Sequence, residues 1–600
     1  MTDEKDQQKA ADGLGVIGPK YQQQPLVTDL SMDSRSLVRP SAEEMGEDAS
    51  SLTDQELQKL LKKGSRYAEQ GDWEKAVPNL IAAWEAMPND ISLLTLIAHG
   101  LSCLGVREYA VSVLERALRF HEPNEEICSI MLSLALDMGM FEIAVKVGLI
   151  LVTMAPTKSN YYVNLATAYT GAKMLDESID MLQNILPMFP DDPELWNVLA
   201  TQVRERDGVD AADVFFEESL RLDPENYKTT SNYAMSFTRR NQHDRALELI
   251  LKSSKVEPNS PEPQIGAAVI YFLQGKMDLA WKAYEFRLSS RRKISQTQVY
   301  THGLPVWNGE DLAGKTLFVT AEQGIGDEVM FGNYLPYLYD RADKLVIGCQ
   351  HRLESLYKRR FPNAFVDFCA DRILQGYRYR TFPNVENAIN DGRLSVDFAI
   401  TVGSAPKFEW TSAEKIQYHP DGFLQADPER QAHFAKTFSA ISNKPKVGLA
   451  WRSGVVTGER LGMYATIDEL GPLMAFADKV DFINLQYGDC TSELAAIKEK
   501  YGVTVHDIEG VDLMQDIEAN VAMMANCAVV VSSCSAPGMF ALSTGRPTIL
   551  MSSVKPWWCF GDKSTIQFAK NATYVDGGTK IEWPDIMARV ATNLEKQLSI

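Results

Sequence analysis

At 600 residues the chain is too long for one ordinary core, and its 45% hydrophobic and 23% charged content is that of folded, soluble domains, which excludes bulk disorder. Sixty basic against 80 acidic residues leave a formal charge of −20 with no Lys/Arg run, which argues against nucleic acid or an anionic membrane as partner. The eight cysteines are scattered without a C-x-x-C pair, the first residues are acidic rather than leader-like, and no 18-residue apolar run occurs, so the reading is a cytoplasmic protein with no membrane insertion.

Residues 1–56 are polar and aperiodic, and are expected to form a disordered arm. From 57 to 300 a 34-residue period takes over. Pro stands at 88, 156, 190, 224 and 258, and Ala at 76, 110, 144, 212, 246 and 280 with Ser178 in the remaining slot. Small residues recur at Gly64, Ala98, Ala166, Ala200, Ala234 and Ala268, and turn formers at Gly71, Gly105, Gly139, Asp207, Asn241 and Gly275. Small residues let antiparallel helices approach, Gly or Asn ends the first helix, and Pro cannot continue the second. The period resembles the tetratricopeptide repeat, about seven units, which implies a superhelix whose groove holds a protein partner. The alternative is that the repeats only brace the next domain. Tyr67, Tyr169, Phe237 and Tyr271 share one repeat position and are expected in the core.

After 300 short β-rich runs alternate with helical ones. Strands are predicted at 315–321, 344–349, 364–369 and 397–402, with helices at 327–342 and 350–361, and a second series at 446–451, 480–486, 503–508, 527–533 and 547–553. A polar stretch around 404–445 separates them, and a helix at 584–598 closes the chain. The predicted class is thus α plus α/β, multidomain, with two doubly wound units at 301–440 and 441–600 facing each other across a cleft.

Ligands of open parallel sheets bind beyond the carboxyl ends of strands. After the first strand comes Glu322-Gln323-Gly324-Ile325-Gly326-Asp327-Glu328, where Gly324 and Gly326 permit a tight turn. Asp327 could accept a proton from an attacking hydroxyl, or could simply stabilise a helix start. After the first strand of the second series, Trp451-Arg452-Ser453-Gly454 offers an indole to pack on a ring and an Arg fork for a phosphate; the alternative is a surface Arg. Gln486 and Tyr487 end a neighbouring strand and could read a base or ribose. Ser532 to Gly538, with Ser533, Ser535 and Gly538, opens a helix with hydroxyls and backbone donors suited to an anion, or with Ser535 as an ordinary cap. No phosphate loop, G-x-S-x-G, H-E-x-x-H or metal-holding Asp-x-Asp is present, and of the eight His only His302 and His506 lie near strand ends.

The segment Pro305-Val306-Trp307-Asn308-Gly309 through Leu312, Gly314-Lys315 and Glu322 to Asp327 resembles the linker and first strand-turn-helix of bacterial tetratricopeptide-fused glycosyltransferases. Val447 to Trp451, the 512–526 segment and Gly545-Arg546-Pro547 are similar to the donor half of that group, which is related to lipopolysaccharide heptosyltransferases. The resemblance implies a GT-B pair of Rossmann units, no cofactor or metal, a nucleotide-sugar co-substrate held by the C-terminal half, an acceptor side at 301–440, and Asp327 as general base. Cys534 and Met539 stand where related sequences carry Asp and His. The Ser533-Cys534-Ser535-Ala536-Pro537-Gly538 form looks like the flagellin-modifying subgroup, whose donors are CMP-activated nonulosonic acids. The expected function is therefore an inverting protein O-glycosyltransferase acting on Ser or Thr of a partner gripped by the repeats, with flagellin as the implied acceptor. A scaffold with a degenerate transferase half, and sugar transfer to lipopolysaccharide, are the alternatives.

Overall fold

The computed structural model describes residues 52–599 apart from 85, 105, 259, 290–296, 375–376, 455–462, 562–564 and 578–581. The expected arm therefore lies almost entirely outside the described residues, as does the turn former Gly105. Fourteen described helices from Asp54–Glu69 to Met277–Tyr284 form seven consecutive helix hairpins, a tetratricopeptide-like superhelix.

Its sequence logic is local. Asp90, Asn124, Asp192 and Asn226, spaced by multiples of 34, each cap a first helix by accepting from a backbone N–H inside it, for example Leu93 N at 2.8 Å and Ile127 N at 2.9 Å. The left-handed turn between paired helices falls on Gly71, Gly139, Asn241 and Gly275, and also on Lys173, where no glycine relieves it. Asp207 does not take that place: the helix Pro193–Asp207 runs through it, and Gly208 makes the turn at φ +93°. The six recurring alanines and Ser178 are all fully buried between helices. Of the four aromatics, Tyr169 and Tyr271 are buried, whereas Tyr67 and Phe237 are half-buried.

The strands of the remaining chain are β1 (Thr297–Tyr300), β2 (Thr316–Thr320), β3 (Lys344–Cys349), β4 (Phe365–Phe368), β5 (Ala370–Leu374), β6 (Tyr377–Thr381), β7 (Phe398–Thr401), β8 (Lys446–Ala450), β9 (Asp481–Asn484), β10 (Val505–His506), β11 (Val529–Ser533), β12 (Thr548–Met551) and β13 (Ala572–Val575). They build an all-parallel sheet of order β4-β3-β2-β7 and a second of order β10-β9-β8-β11-β12-β13. The strand cores are buried on both faces, as parallel sheets require. A third small sheet, β1-β6-β5, joins segments with no strand pattern strong enough to be read in advance.

Two differences from expectation have plain causes. The helix predicted at 327–342 is two pieces, Ile325–Gly332 and Leu335–Tyr339, because Pro336 cannot donate inside a helix. The 404–445 stretch is more than a polar separator: Trp410 and Phe423 are fully buried, and the helix Pro428–Ile441 buries Phe434 and Phe438. Gly422, at φ +71°, passes so close to the end of helix Ala536–Ser543 that a Cβ would stand 2.3 Å from the Ser543 carbonyl oxygen. Leu424 N donates to that same oxygen at 2.9 Å.

The last repeat is part of the α/β core rather than a neighbour to it. Phe272 packs on Trp557 and Phe560 at ring separations of 5.0 and 5.4 Å, and Tyr284 on Phe331 at 6.0 Å. Trp281 Nε1 donates to the Trp410 carbonyl at 2.7 Å. One hydrophobic cluster accordingly runs from the fourth repeat into both sheets.

Candidate functional site at the junction of the two sheets

The turn after β2 is held from four sides. Tyr300 Oη donates to the Ala321 carbonyl at 2.9 Å, and Arg380 Nη2 to the Gln323 carbonyl at 3.1 Å. Gln323 sits in the left-handed region at φ +58°, and its Nε2 donates to Tyr284 Oη at 2.9 Å. Glu322, 2% exposed, takes a two-pronged ion pair from Arg287, itself 6% exposed, at 2.6 and 2.7 Å. Arg287 also bonds Ser404 Oγ and Glu285, and Glu285 bonds Lys407. Burial pushes the Glu322 carboxyl up, but the Arg287 charge and hydrogen bonds outweigh it and hold it below the usual range.

Past this turn the helix Ile325–Gly332 begins. Asp327 is half-buried at its third residue, and its Oδ2 accepts from Gly324 N at 3.4 Å, so it does stabilise its own helix start. Gly326 lies against the second unit: a Cβ there would stand 3.4 Å from Ala536 Cα. Ala536 opens the helix that follows β11, so Gly326, between Gly324 and Asp327, packs on the helix start that Ser533 and Ser535 precede. Those two serines share a hydrogen bond of 2.9 Å between their hydroxyls.

The remaining expected ligand residues form a separate group around β8 and β9. Gln486 is 1% exposed, and its Oε1 accepts from Trp451 N at 3.1 Å and Arg452 N at 2.9 Å, so it ties two strand ends and has no amide oxygen left for a base. Trp451 does not offer its indole to a ring: it is 1% exposed in the core of the second unit, with Nε1 donating to Glu493 Oε1 at 2.8 Å. Arg452 is committed to the same carboxylate through Nε and Nη2, and adds the Asp489 and Ser453 carbonyls. That pair pushes its guanidinium above the ordinary range, mainly through the Glu493 hydrogen bonds. A phosphate clamp at Arg452 would have to break it. Gly538 packs closely, since a Cβ would stand 2.7 Å from the Ser533 carbonyl and 2.9 Å from Leu550, and it lies in the first turn of its helix. Tyr487 and Ser453 remain near the opening, where Tyr487 Oη accepts from Gly454 N at 2.8 Å and lies 3.2 Å from Ser453 Oγ.

Arg287, Glu328, Arg352, Arg380 and Glu493 join these two groups without belonging to a predicted site. Arg352 alone carries a local signal, since it follows β3 much as Arg452 follows β8. His302, by contrast, is a core histidine. It accepts from Leu304 N at 3.2 Å, and burial pushes it down to about 4. His506 lies in β10 at the sheet edge. Among the described residues no three His, Cys, Asp or Glu side chains group as metal ligands, and no helix is long and apolar enough to cross a membrane.

Glu328, 4% exposed, accepts from Gln350 N at 3.1 and 3.3 Å. Burial pushes its carboxyl up to about 8, against the Gln350 N–H and the Arg380 and Arg352 charges. From its ordinary 4.5 up to about 8 the folded chain therefore holds a proton that the unfolded chain has lost. This contribution to stability is full below the ordinary value and is lost as pH rises through the folded one. Glu328→Gln is expected to match the parent in acid and to exceed it by a few kcal/mol in mild alkali, read from melting against pH. Parallel pH slopes for the two proteins would show that Glu328 is ionised in the fold.

No protein-family model matches the chain. Protein FlbA of Caulobacter vibrioides (strain ATCC 19089 / CIP 103742 / CB 15) is 31% identical over 441 residues, 72% of each chain. Among solved structures, a tetratricopeptide repeat protein from Parabacteroides merdae ATCC 43184 is 18% identical, with 38% of this chain and 91% of that one covered at a TM-score of 0.35. Pseudomonas aeruginosa pilF is 17% identical, covering 35% and 96% at 0.29. YrrB, described as a TPR protein with an unusual peptide-binding site, is 16% identical, covering 30% and 93% at 0.24.

Proposed function

We propose, from the premise that the chain belongs to the family of Protein FlbA, that it is a protein O-glycosyltransferase of GT-B type that takes its acceptor from the repeat groove. The observation that carries this reading is the contact of the Gly324–Asp327 turn, through Gly326, with Ala536 at the helix start that Ser533 and Ser535 precede, at the carboxyl ends of two parallel sheets and beside the last repeat. In the proposed reaction a Ser or Thr hydroxyl of the acceptor gives its proton to Asp327. Its oxygen forms the new bond to the anomeric carbon as the bond to the nucleotide phosphate breaks, and the nucleotide leaves with those electrons. Holding the acceptor protein on the repeats raises the local concentration of its hydroxyls without a strong consensus around each.

The subgroup resemblance around Cys534 supports a CMP-activated nonulosonic acid as donor and flagellin as acceptor. A scaffold reading is favoured by one observation, the internal commitment of Arg452 and Gln486. Binding of UDP, GDP, ADP and CMP to the full chain separates the two. Selective binding of one nucleotide supports the transferase, with CMP pointing to a nonulosonic acid and ADP to a heptose; binding of none gives the function to the repeats.

A further inference from the structure

Arg352 bridges the two units with a fork that is only half used. It stands in the short turn His351–Leu353 after β3, where its Nε donates to Gln350 Oε1 at 2.7 Å. Its Nη1 crosses to the second unit and donates to the Met514 carbonyl at 2.6 Å. These two bonds fix the guanidinium plane, and among the described residues Nη2 has no acceptor and the side chain no carboxylate partner. Arg287 and Arg452, in contrast, are each paired with a carboxylate through two nitrogens.

The surroundings add to this. Glu328 lies beside it on helix Ile325–Gly332 and bonds the backbone of Gln350, two residues from Arg352. Partial burial lowers the Arg352 guanidinium from its ordinary range, with the charges of Glu328, Asp512 and Tyr487 acting in the other direction. A cation without a paired carboxylate gains more from an incoming anion than one already paired.

We propose that Arg352, rather than Arg452, takes a phosphate group of the substrate in the cleft, with Nη2 as donor and the Met514 bond holding the fork in place. This rests on the transferase reading for the identity of the ligand, a nucleoside phosphate, but not for the anion site itself.

The test is calorimetric binding to the full chain of CMP, UDP, GDP and ADP, and separately of inorganic pyrophosphate, in the parent, Arg352→Gln and Arg352→Lys. Lys358→Gln, which removes one surface charge from the same unit, is the control for bulk electrostatics. Arg352→Gln is expected to weaken the preferred nucleotide by about 10- to 100-fold, Arg352→Lys by less, and Lys358→Gln by under about twofold. Nucleotide binding that is equal in the parent and both Arg352 variants overturns the assignment and leaves the transferase reading standing. Pyrophosphate bound through Arg352 with no nucleotide bound sustains the anion site and overturns the transferase reading. Binding of neither by the parent overturns both. Should Arg352→Gln fail to fold, Arg352→Lys decides by the same comparison.

Discussion

Glu322→Ala is expected to destabilise the protein by about 3 kcal/mol, because it removes the two-pronged carboxylate from the buried Arg287 guanidinium and leaves it only the single contact with Glu285. The loss should be felt in both parts of the molecule. Glu322 belongs to the turn after β2, whereas Arg287 lies in the short 3-10 helix Glu285–Leu288 that ends the last repeat. Chemical denaturation with one probe in the repeats and another in the sheets is expected to show both transitions moved together. The double change Arg287→Met with Glu322→Leu is expected to recover part of the loss, since it removes the desolvation cost of both charges while Glu285 keeps only Lys407 as its cation. A Glu322→Ala protein within about 1 kcal/mol of the parent would mean that Glu285 alone compensates Arg287 or that the pair is open to water.

The same pair governs how the chain can be divided. A fragment beginning near 300 keeps Glu322 but loses Arg287, Tyr284, Trp281 and Phe272, and a repeat fragment ending there loses Trp410, Trp557 and Phe560. Removal of the repeats is therefore not a neutral test of acceptor docking. Cuts that spare the last repeat are the informative ones.

Asp327→Asn is expected to lower sugar transfer to purified acceptor by about 10²- to 10⁴-fold under single-turnover conditions while nucleotide binding stays within about twofold. Asn keeps an oxygen for the Gly324 N–H, so the helix start should survive, and what is removed is the proton acceptor. Transfer within about threefold of the parent would assign Asp327 to the helix alone. Glu328, one residue on, is the neighbouring carboxyl, but it is turned to Gln350 and pushed up to about 8, which makes it a proton holder at neutral pH rather than a ready base.

The repeat array and the strands of both parallel sheets were legible because their determinants are local. A 34-residue period places each cap, alanine and turn within reach of its own hairpin, and a buried parallel strand is a short apolar run whatever lies beside it. The small sheet β1-β6-β5 was not legible, since β5 and β6 are polar at many positions; β6 gains its place by pairing with β1, Thr297 opposite Tyr377, and β5 by pairing with β6. Of the site, the glycine turn, Asp327 and the serines after β11 could be located as strand-end residues. What each side chain does there could not.

That division stems from what a residue type specifies alone. Strand ends and helix starts are written in neighbouring residues, so the segments that end at the junction of the two sheets follow from local pattern. That Trp451 is core, that Arg452 and Gln486 are spent on Glu493 and on backbone, and that Glu322 is neutralised by an arginine from the last repeat follows from the packed fold. An arginine or a buried carboxylate takes its role from the one partner that compensates its charge. In this fold that partner lies 41 residues away for Arg452 and 35 residues away for Glu322, across an element that no local pattern connects.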